Sequence, residues 1–316
     1  MLTTYIRPLP NVCKRAGNSK KRSKKEKLWR IHPQWMQTTV RTGRLSCRKP
    51  NLQQIPKEGA FGVVPRDAFV TEEGMCLFAC DYSQKEVRIL AHMSGDRSLI
   101  SLFRGDPNVD IYKQMSSLIR NKPVDAVTDT ERAQFKQVTL ALLYGMGPGQ
   151  VAKKLSISKG SAQQMMSDFF RRFPQLKVWM DKTKADARKK LYVETIAGRK
   201  RYLDDINSND NAKRSQAERQ AVNSVIQGSA ADLMKTAMIK MAANLMRWPD
   251  ENRPLMLLQI HDEVVLEVRM KASAIQRLKS IAFKSCCVEC EKQFHLKVPL
   301  LLTCSAGRSW GAMKDI

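Results

Sequence analysis

Apolar and polar positions alternate in blocks along the 316-residue chain, and these blocks predict both strands and helices. Met75–Cys80 is an apolar run of strand length that ends at Asp81. In the polar segment that follows, Ser83 and Glu86 have capping-box spacing, so we expect a helix from Ser83 to a stop at Gly95. Its buried face is expected to carry Val87, Leu90 and Ala91. A carboxylate at the end of a buried strand is well placed to hold a divalent cation.

A second acidic strand end lies in the C-terminal quarter of the chain. Leu255–Ile260 and Val264–Val268 are apolar runs that predict a β-hairpin with His261–Glu263 at its tip. Asp81 and Asp262 therefore both lie at the ends of buried strands. If those strands are neighbours in one sheet, the two carboxylates meet at one site.

The segment 128–145 predicts a helix with a capping box of Thr128 and Glu131 and with Gly145 after its last turn. Residues at successive i+4 spacings form one stripe along it, and they are Arg132, Lys136, Leu140 and Tyr144. A basic half followed by an aromatic residue suits a nucleoside triphosphate and its base. The alternative is an ordinary solvated basic face.

The rest of the pattern predicts short helices, a hairpin, a long helix and a closing strand. We expect short helices over 96–128, helices over 151–192, a hairpin over 192–206, a long helix over 212–243, an amphipathic helix over 272–294 and a strand over 298–303. The aromatic residues of 151–192 indicate core packing. A break of the long helix near Gly228 is an open alternative. Its stripe of Arg219, Asn223 and Gln227 indicates a ligand face or helix–helix hydrogen bonds, because half-buried amides need partners.

Composition adds a strong charge signal. The chain carries 55 Lys and Arg against 30 Asp and Glu, a net charge of +25. Such an excess favours a nucleic-acid partner, with an anionic membrane surface or simple solubility as alternatives. No window reaches the about 18 apolar residues that a membrane span needs, and Met1–Pro10 lacks the apolar core of a secretory signal.

Two segments near the N-terminus are polar and basic. Residues 14–30 hold nine Lys and Arg and one Glu, which predicts a solvated loop, a nuclear address or a DNA-backbone contact. Residues 32–56 contain arginines, including Arg44, interleaved with amide residues, including Asn51 and Gln53. Such residues can contact phosphates and groove edges, although a polar surface loop has the same composition.

The eight cysteines are too sparse for a disulfide scaffold and favour reduced thiols. Cys286, Cys287 and Cys290 include one C-x-x-C, and His295 is nearby. No second pair stands at zinc-ligand spacing, so core packing is the preferred interpretation over a metal or redox site.

With these elements in place, the chain resembles the polymerase domain of the family A DNA polymerases, and within that family the eukaryotic theta/nu type. Asp81–Arg88 is similar to the first palm motif, and the stripe from Arg132 to Tyr144 with Gly145 is similar to the fingers helix. The other matching segments, in family order, are Thr42–Leu45, Asn51–Gln53, Arg199–Tyr202, Ala217–Gln220, Gln227–Asp232, His261–Glu263 and Trp310–Gly311. The resemblance covers roughly residues 30–315.

The resemblance implies an α+β fold, namely a right-hand polymerase palm on an antiparallel sheet with helical fingers and a thumb that is largely missing. It assigns residues 1–30 to a thumb remnant and basic loop, 31–95 and 211–316 to the two parts of the palm, and 96–210 to the fingers. The chain would then be a fragment or an abbreviated gene product, with a missing N-terminal region of the same protein as a partner.

The resemblance also implies the residues of the site. Asp81 and Asp262, with the Tyr82 carbonyl, would hold two Mg²⁺ ions; Glu263 would support the primer, and Lys136 would be the proton donor. The dNTP would be bound by Arg132, Lys136, Leu140, Tyr144, Gln84 and Glu86, of which Glu86 would exclude a ribose 2′-hydroxyl. Primer–template DNA would be bound by Arg44, Asn51, Gln53, Arg219, Asn223, Gln227 and His261.

Three positions depart from the family pattern. Leu140 stands where an aromatic residue usually stacks on the nucleotide, Tyr112 where bacterial members often have His, and Lys85 where an apolar residue usually precedes the gate. These departures put normal efficiency and fidelity in question and leave the reaction class intact.

The expected function is a template-directed DNA polymerase core without proofreading that acts in repair or translesion synthesis. A catalytically impaired, polymerase-derived DNA-binding module is the alternative from another class, and a reverse transcriptase or RNA polymerase is the enzymatic one. The expected location is the nucleus, with an organelle left open.

Overall fold

The computed structural model describes residues 30–59, 62–106, 109–249 and 252–316, together with the backbone of residues 4–6, 14–15 and 29. The basic block 14–30 therefore lies almost entirely outside the described residues. The described residues form strands and helices in one chain, with antiparallel sheets, so the predicted α+β class is confirmed.

The chain forms two compact units. The first comprises Met1–Ser83, Met234–Cys290 and Leu301–Ile316, and the second comprises Gln84–Leu233 and Glu291–Leu300. The divisions predicted from the sequence lie after residues 30, 95 and 210. The division at 83/84 follows from packing, because the first helix after Ser83 packs on other helices of the second unit. The palm and fingers assignments themselves stay predictions.

An antiparallel five-stranded sheet forms the centre of the first unit. Its order is β12 (Lys314–Asp315), β11 (Leu302–Gly307), β6 (Met75–Tyr82), β10 (Glu263–Arg269) and β9 (Leu255–Ile260). The middle strand β6 is buried over five successive residues, as expected for a strand with neighbours on both edges and cover on both faces. Both predicted strands of the hairpin and the strand before Asp81 are confirmed.

Short strands and turns fill the N-terminal part of the first unit. They are β1 (Thr4–Ile6), β2 (Lys14–Arg15), β3 (Trp29–Ile31), β4 (Gln34–Met36) and β5 (Ser46–Arg48), with 3₁₀ turns at Leu52–Gln54 and Pro65–Ala68. β3 pairs with β1 and β2, and β4 pairs with β5.

The C-terminal elements differ from the prediction in two places. The expected amphipathic helix is divided into α9 (Ala272–Phe283), a π-helical turn (Lys284–Val288) and α10 (Glu289–Phe294). The expected strand at 298–303 is wrong by four residues, since β11 is Leu302–Gly307. Pro299 has no backbone N–H and cannot donate to a ladder, so pairing with β6 starts beyond it.

The second unit is mainly helical. Its elements are α1 (Lys85–Ser94), α2 (Arg97–Arg104), α3 (Ile111–Arg120), α4 (Asp129–Leu143), α5 (Pro148–Leu155), α6 (Lys159–Arg172), α7 (Pro174–Lys190) and a hairpin of β7 (Tyr192–Glu194) and β8 (Lys200–Tyr202). Helix α8 (Asn211–Leu245) contributes residues to both units and runs without a break through Gly228. Phe169, Phe173 and Leu176 are fully buried, which confirms their predicted core role.

The start of α1 corrects a prediction. The helix begins at Lys85, not Ser83, and the preceding Gln84 has a left-handed backbone (φ 47°) without a side-chain cap. Ser83 instead lies in a turn after β6: its N–H donates to the Leu301 carbonyl at 3.0 Å, and its hydroxyl lies 3.3 Å from that of Thr303. The predicted end is confirmed, because Gly95 is left-handed and its N–H donates to the Ala91 carbonyl.

The capping prediction for α4 is confirmed in full. The Thr128 hydroxyl accepts from the Glu131 N–H, and the Glu131 carboxylate accepts from the Thr128 N–H at 2.8 Å. Gly145 follows the helix with φ 64°. Within the described part of the chain, no helix has the length and apolarity that crossing a membrane requires.

Candidate active site

The sheet of the first unit brings the predicted carboxylates together where β6 ends and β10 begins. We call this end of the two strands the acidic edge. Glu263 is the direct partner of Asp81 in the antiparallel pair of β10 and β6. The Tyr82 N–H donates to the Asp262 carbonyl at 3.1 Å, so Asp262 lies beside the end of β6. The expectation that strand pairing would join Asp81 and Asp262 is met, while the catalytic roles of these residues stay predictions.

A two-residue turn, His261–Asp262, presents the second acid. His261 has a left-handed backbone (φ 52°), which is unusual for a residue with a side chain. The Gln259 amide stabilises this turn by donating to the His261 carbonyl at 2.8 Å. Gln53 in turn donates to the Gln259 carbonyl at 3.0 Å. Gln53, expected on DNA, thus has a structural role in holding the hairpin.

Burial and a neighbouring negative charge act on Glu263. The pKa of Glu263 is raised, first because the carboxylate is largely buried and then because Asp81 is close, while Arg66 lowers it. Asp81 is exposed at the end of its buried strand, and Asp262 is half-buried. An exposed carboxylate beside a buried one places negative charge where a cation can still reach it.

Arg66, which no sequence motif indicated, is only 8% exposed. Its guanidinium lies 3.9 Å from the Glu263 carboxylate and 3.9 Å from the centre of the Trp310 ring, and it donates to the Ile55 carbonyl at 3.1 Å. Desolvation lowers the pKa of Arg66. The residues next to Arg66 in the sequence do not predict these contacts, because its partners Glu263 and Trp310 come from distant parts of the chain.

The acidic edge fits magnesium that is completed by a substrate. Mg²⁺ prefers oxygen ligands and is usually held by one or two carboxylates together with substrate phosphates. Asp81 and Asp262 supply two carboxylates, and the Tyr82 backbone adds a carbonyl oxygen nearby. Among the described residues, no group of three or more His, Cys, Asp or Glu side chains forms a complete metal cage. Asp81 and Asp262 are the side chains that would hold such an ion, with substrate oxygens as its further ligands.

Tyr82 itself is anchored away from solvent. Its hydroxyl donates to the Cys286 carbonyl at 2.6 Å, and burial raises the pKa of its phenol. Cys286, Cys287 and Cys290 are buried free thiols, so the preferred core-packing interpretation of the C-x-x-C segment holds. This packing fixes the strand that carries Asp81.

In the second unit, α4 carries the predicted basic stripe. Lys136 is exposed, Arg132 and Leu140 are half-buried, and Tyr144 caps the C-terminal end of the helix. One Arg132 nitrogen donates to the Asp110 carboxylate at 2.7 Å. Arg132 is therefore held by a carboxylate at the start of α3, which the sequence analysis did not anticipate.

The first turn of α1 carries the residues of the expected sugar gate. Glu86 is half-buried, and Lys85 is buried at 2% exposure. An effect of Lys85 on nucleotide selectivity stays a prediction. Tyr112 is also buried, and its pKa is raised to about 12, first by burial and then by the charge of Asp110. Gln84 occupies the left-handed position that joins β6 to α1.

The predicted polar stripe on α8 lies against the end of α4. A Cβ atom added at Gly145 would lie 3.1 Å from the Arg219 Cα, so the two backbones approach closely. Arg219 and Asn223 are half-buried, and Gln227 is buried. The Asn223 side-chain oxygen is buried with no hydrogen-bond partner among the described residues, which argues against a purely structural helix–helix role.

The remaining residues expected on DNA lie in the first unit. Arg44 is half-buried and His261 is exposed. Asn51 caps the 3₁₀ turn by accepting from the Gln53 N–H at 3.1 Å. The seven expected residues thus fall into a group of four in the first unit and a group of three in the second.

Comparison with known proteins decides the family. The model of DNA polymerase family A matches residues 1–312. The chain belongs to DNA polymerase family A. This family A chain is 38% identical over 315 residues to the thermostable DNA polymerase I of Thermus aquaticus, covering 99% of the chain and 35% of that protein. It is 39% identical over 281 residues to DNA polymerase I of Caldicellulosiruptor bescii, covering 89% and 32%.

A solved structure with the same fold is the POL domain of Pol1 from M. smegmatis in complex with DNA primer-template and dNTP. The TM-score is 0.82 at 37% identity, with 90% of this family A chain and 48% of the other covered. The chain spans about a third of the length of the curated relatives it matches. These relatives are bacterial polymerases, so the expected closeness to the theta/nu type is not supported.

Proposed function

We propose that this chain is the catalytic core of a template-directed DNA polymerase that adds dNTPs to a primer 3′-hydroxyl. The main support for this proposal is the pairing of Glu263 with Asp81 beside the Asp262 turn, in a chain that belongs to family A. The structural relative in complex with primer-template and dNTP supports the same substrates.

The proposed reaction forms one bond and breaks one bond. The primer 3′-oxygen attacks the α-phosphorus of the dNTP, and the bond to the bridging oxygen breaks to release pyrophosphate. Two Mg²⁺ ions, when bound, lower the pKa of the attacking hydroxyl and neutralise charge on the departing pyrophosphate. Asp81, Asp262 and the Tyr82 carbonyl would hold them.

The side chains of α4 have their own proposed tasks. Arg132 would bind the triphosphate by charge-assisted hydrogen bonds, and Lys136 would bind it and give its proton to the leaving pyrophosphate. Leu140 and Tyr144 would border the base, and Glu86 with Gln84 would border the sugar. Lys136 is exposed, as a residue that meets a diffusing substrate must be.

A second group of residues would track the primer–template. The acceptor and donor side chains proposed for it are Arg44, Asn51, Gln53, Arg219, Asn223, Gln227 and His261. Amides and arginines can contact bases and phosphates, and the unpartnered Asn223 oxygen supplies an acceptor. The net charge of +25 favours a polyanionic partner.

Primer extension tests the proposal directly. Asp81→Asn and Asp262→Asn should each lower the rate of nucleotide addition about a thousandfold, since metal-based charge stabilisation is worth several kcal/mol. Their affinity for primer–template, measured by fluorescence anisotropy, should change little. Glu72→Gln, at an exposed acid before β6, serves as the control and should leave the rate unchanged.

The assay also separates the rival functions. Extension by Asp262→Asn at the wild-type rate would contradict the metal assignment. DNA binding without extension, by this chain and by a version extended at its N-terminus, would favour a binding module. RNA templates and rNTPs test the reverse transcriptase and RNA polymerase alternatives.

Three finer proposals accompany the main one. We propose that the chain has no proofreading activity of its own, since the polymerase family match accounts for residues 1–312. We also propose a role in repair or translesion synthesis, which is consistent with a polymerase that does not proofread. A nuclear location rests on the basic block 14–30 and is tested by imaging a fluorescent fusion with and without that block.

A further inference from the structure

Asp110 connects two helices of the second unit through its two carboxylate oxygens. Oδ1 accepts from the backbone N–H groups of Tyr112 at 2.9 Å and Lys113 at 3.0 Å, and so caps α3. Oδ2 accepts from Arg132 of α4 at 2.7 Å. The carboxylate is thus fixed by its own helix before it contacts the arginine.

The position of Arg132 makes this contact necessary. Arg132 lies at the start of α4, close to the positive end of the helix dipole, where a cation is disfavoured. Its side chain is also 36% exposed, so it has room to rotate. A fixed carboxylate offsets the dipole and limits the rotation. Because Asp110 is already ordered, the ion pair does not need to order two flexible side chains, as most surface pairs do.

We propose that Asp110 is a positioning residue for the incoming nucleotide, an inference that rests on the proposed polymerase function. It holds one edge of the Arg132 guanidinium and directs the rest toward the triphosphate. A guanidinium has five N–H donors in a planar fork, so one edge can bind a carboxylate while the others bind phosphate oxygens. Asp110 itself does not contact the substrate.

The negative charge of Asp110, taken alone, opposes binding of the triphosphate. An isolated carboxylate would repel a triphosphate. Asp110 is neutralised locally, however, by Arg132 and by two backbone N–H groups of a helix N-terminus. Positioning therefore outweighs repulsion, and removal of the charge should weaken nucleotide binding.

Asp110→Asn isolates the effect, because asparagine caps helices as well as aspartate does. The variant keeps the α3 cap and loses the charge that holds Arg132. In single-nucleotide insertion by the full chain, KM for the dNTP should rise about tenfold, with kcat and primer–template affinity within about twofold of wild type. Asp129→Asn is the matched control, since Asp129 pairs with Lys113 at 3.5 Å at the same helix boundary and is 92% exposed. Its KM should stay within about twofold.

A double-mutant cycle shows whether Asp110 acts through Arg132. In an Arg132→Ala background, Asp110→Asn should change KM by less than about twofold. An equal rise in both backgrounds would reveal a merely structural role and overturn the inference. A lower KM for Asp110→Asn would show that repulsion dominates and would also overturn it.

The two single variants also distinguish failure of the positioning role from failure of the proposed function. If Arg132→Ala raises KM and Asp110→Asn does not, the positioning role fails and the triphosphate site stands. If Arg132→Ala itself leaves KM unchanged, the proposed triphosphate site fails, and the positioning role fails with it.

Discussion

The guanidinium of Arg66 lies 3.9 Å from the carboxylate of Glu263, the residue that pairs with Asp81 across the sheet. Both side chains are largely buried, at 9% and 14% exposure. Breaking such a pair leaves a buried charge without compensation, which costs more than the pair contributes when intact.

Arg66→Met should therefore destabilise the protein by about 1–3 kcal/mol in urea unfolding, the penalty for an uncompensated buried polar group. Arg66→Lys should fall in between, because lysine restores the charge but not the planar contact with Trp310. The exposed Arg41→Met is the control and should stay within about 0.5 kcal/mol of wild type. An unchanged urea midpoint for Arg66→Met would show that the pair carries no stability.

The close approach at Gly145 predicts a second effect. Gly145→Ala places a Cβ on a left-handed backbone and only 3.1 Å from the Arg219 Cα. We expect a loss of about 1–2 kcal/mol from the backbone conformation alone. Under the proposed function, primer–template affinity should also fall because Arg219 is displaced.

The control for this substitution is Gly198→Ala, which also has a positive φ but has open space around its Cβ position. It should lose comparable stability and leave primer–template affinity unchanged. Equal losses of primer–template affinity in both variants would show that the loss in Gly145→Ala is not caused by displacement of Arg219.

The cap of α4 should respond to acid. The pKa of Glu131 is lowered to about 2, first by the hydrogen bond from Lys122 and then by the Thr128 backbone. A carboxyl group whose pKa is lower in the folded state stabilises the fold above its unfolded pKa of about 4.5, and this contribution is lost as the pH falls toward 2. Lys122→Met should therefore lower the thermal midpoint at pH 7, and the difference from wild type should shrink between pH 4.5 and 2.

Lys177→Met, at an exposed lysine of α7, is the comparison for this titration. Its difference from wild type should be small and flat over the same range. If Lys122→Met also gives a flat difference, the interaction of Lys122 with Glu131 is not what lowers the carboxyl pKa.

Lys85 offers a test of nucleotide selectivity. The side chain is buried in the first turn of α1, next to Glu86. Under the proposed function, Lys85→Ile removes a buried cation beside the sugar gate and should change the ratio of rNTP to dNTP insertion and the misincorporation rate. Lys113→Ile, at a lysine of α3, is the control. Unchanged ratios for Lys85→Ile would limit Lys85 to a structural role.

Local sequence signals predicted those elements whose determinants are local. Strand length and turn residues sufficed for β6, β9 and β10, and the capping box and Gly145 sufficed for α4. The same signal failed at Ser83, because its backbone N–H donates to Leu301, just before β11, and its hydroxyl contacts Thr303 in β11. A capping motif is thus overridden when a sheet offers its residues hydrogen bonds.

The candidate site was predictable to the extent that it repeats a family pattern. Asp81 and Asp262 were found because each follows an apolar strand. Arg66 and Asp110 were not found, because their partners Glu263 and Arg132 are distant in sequence and no spacing links them. The second roles of Gln53 and Asn51, in holding a hairpin and a 3₁₀ turn, likewise became visible only from their contacts.

The buried thiols around β6 allow the motions of the first unit to be timed. Cys76, Cys80 and Cys304 lie on β6 and β11, and all of the described cysteines are reduced and buried. A thiol reagent can modify them only when the strands open. The rate of modification in the native protein therefore reports the opening free energy of the sheet that carries Asp81. Under the proposed function, nucleotide or DNA that binds at this edge should slow that reaction without contacting a single sulfur atom.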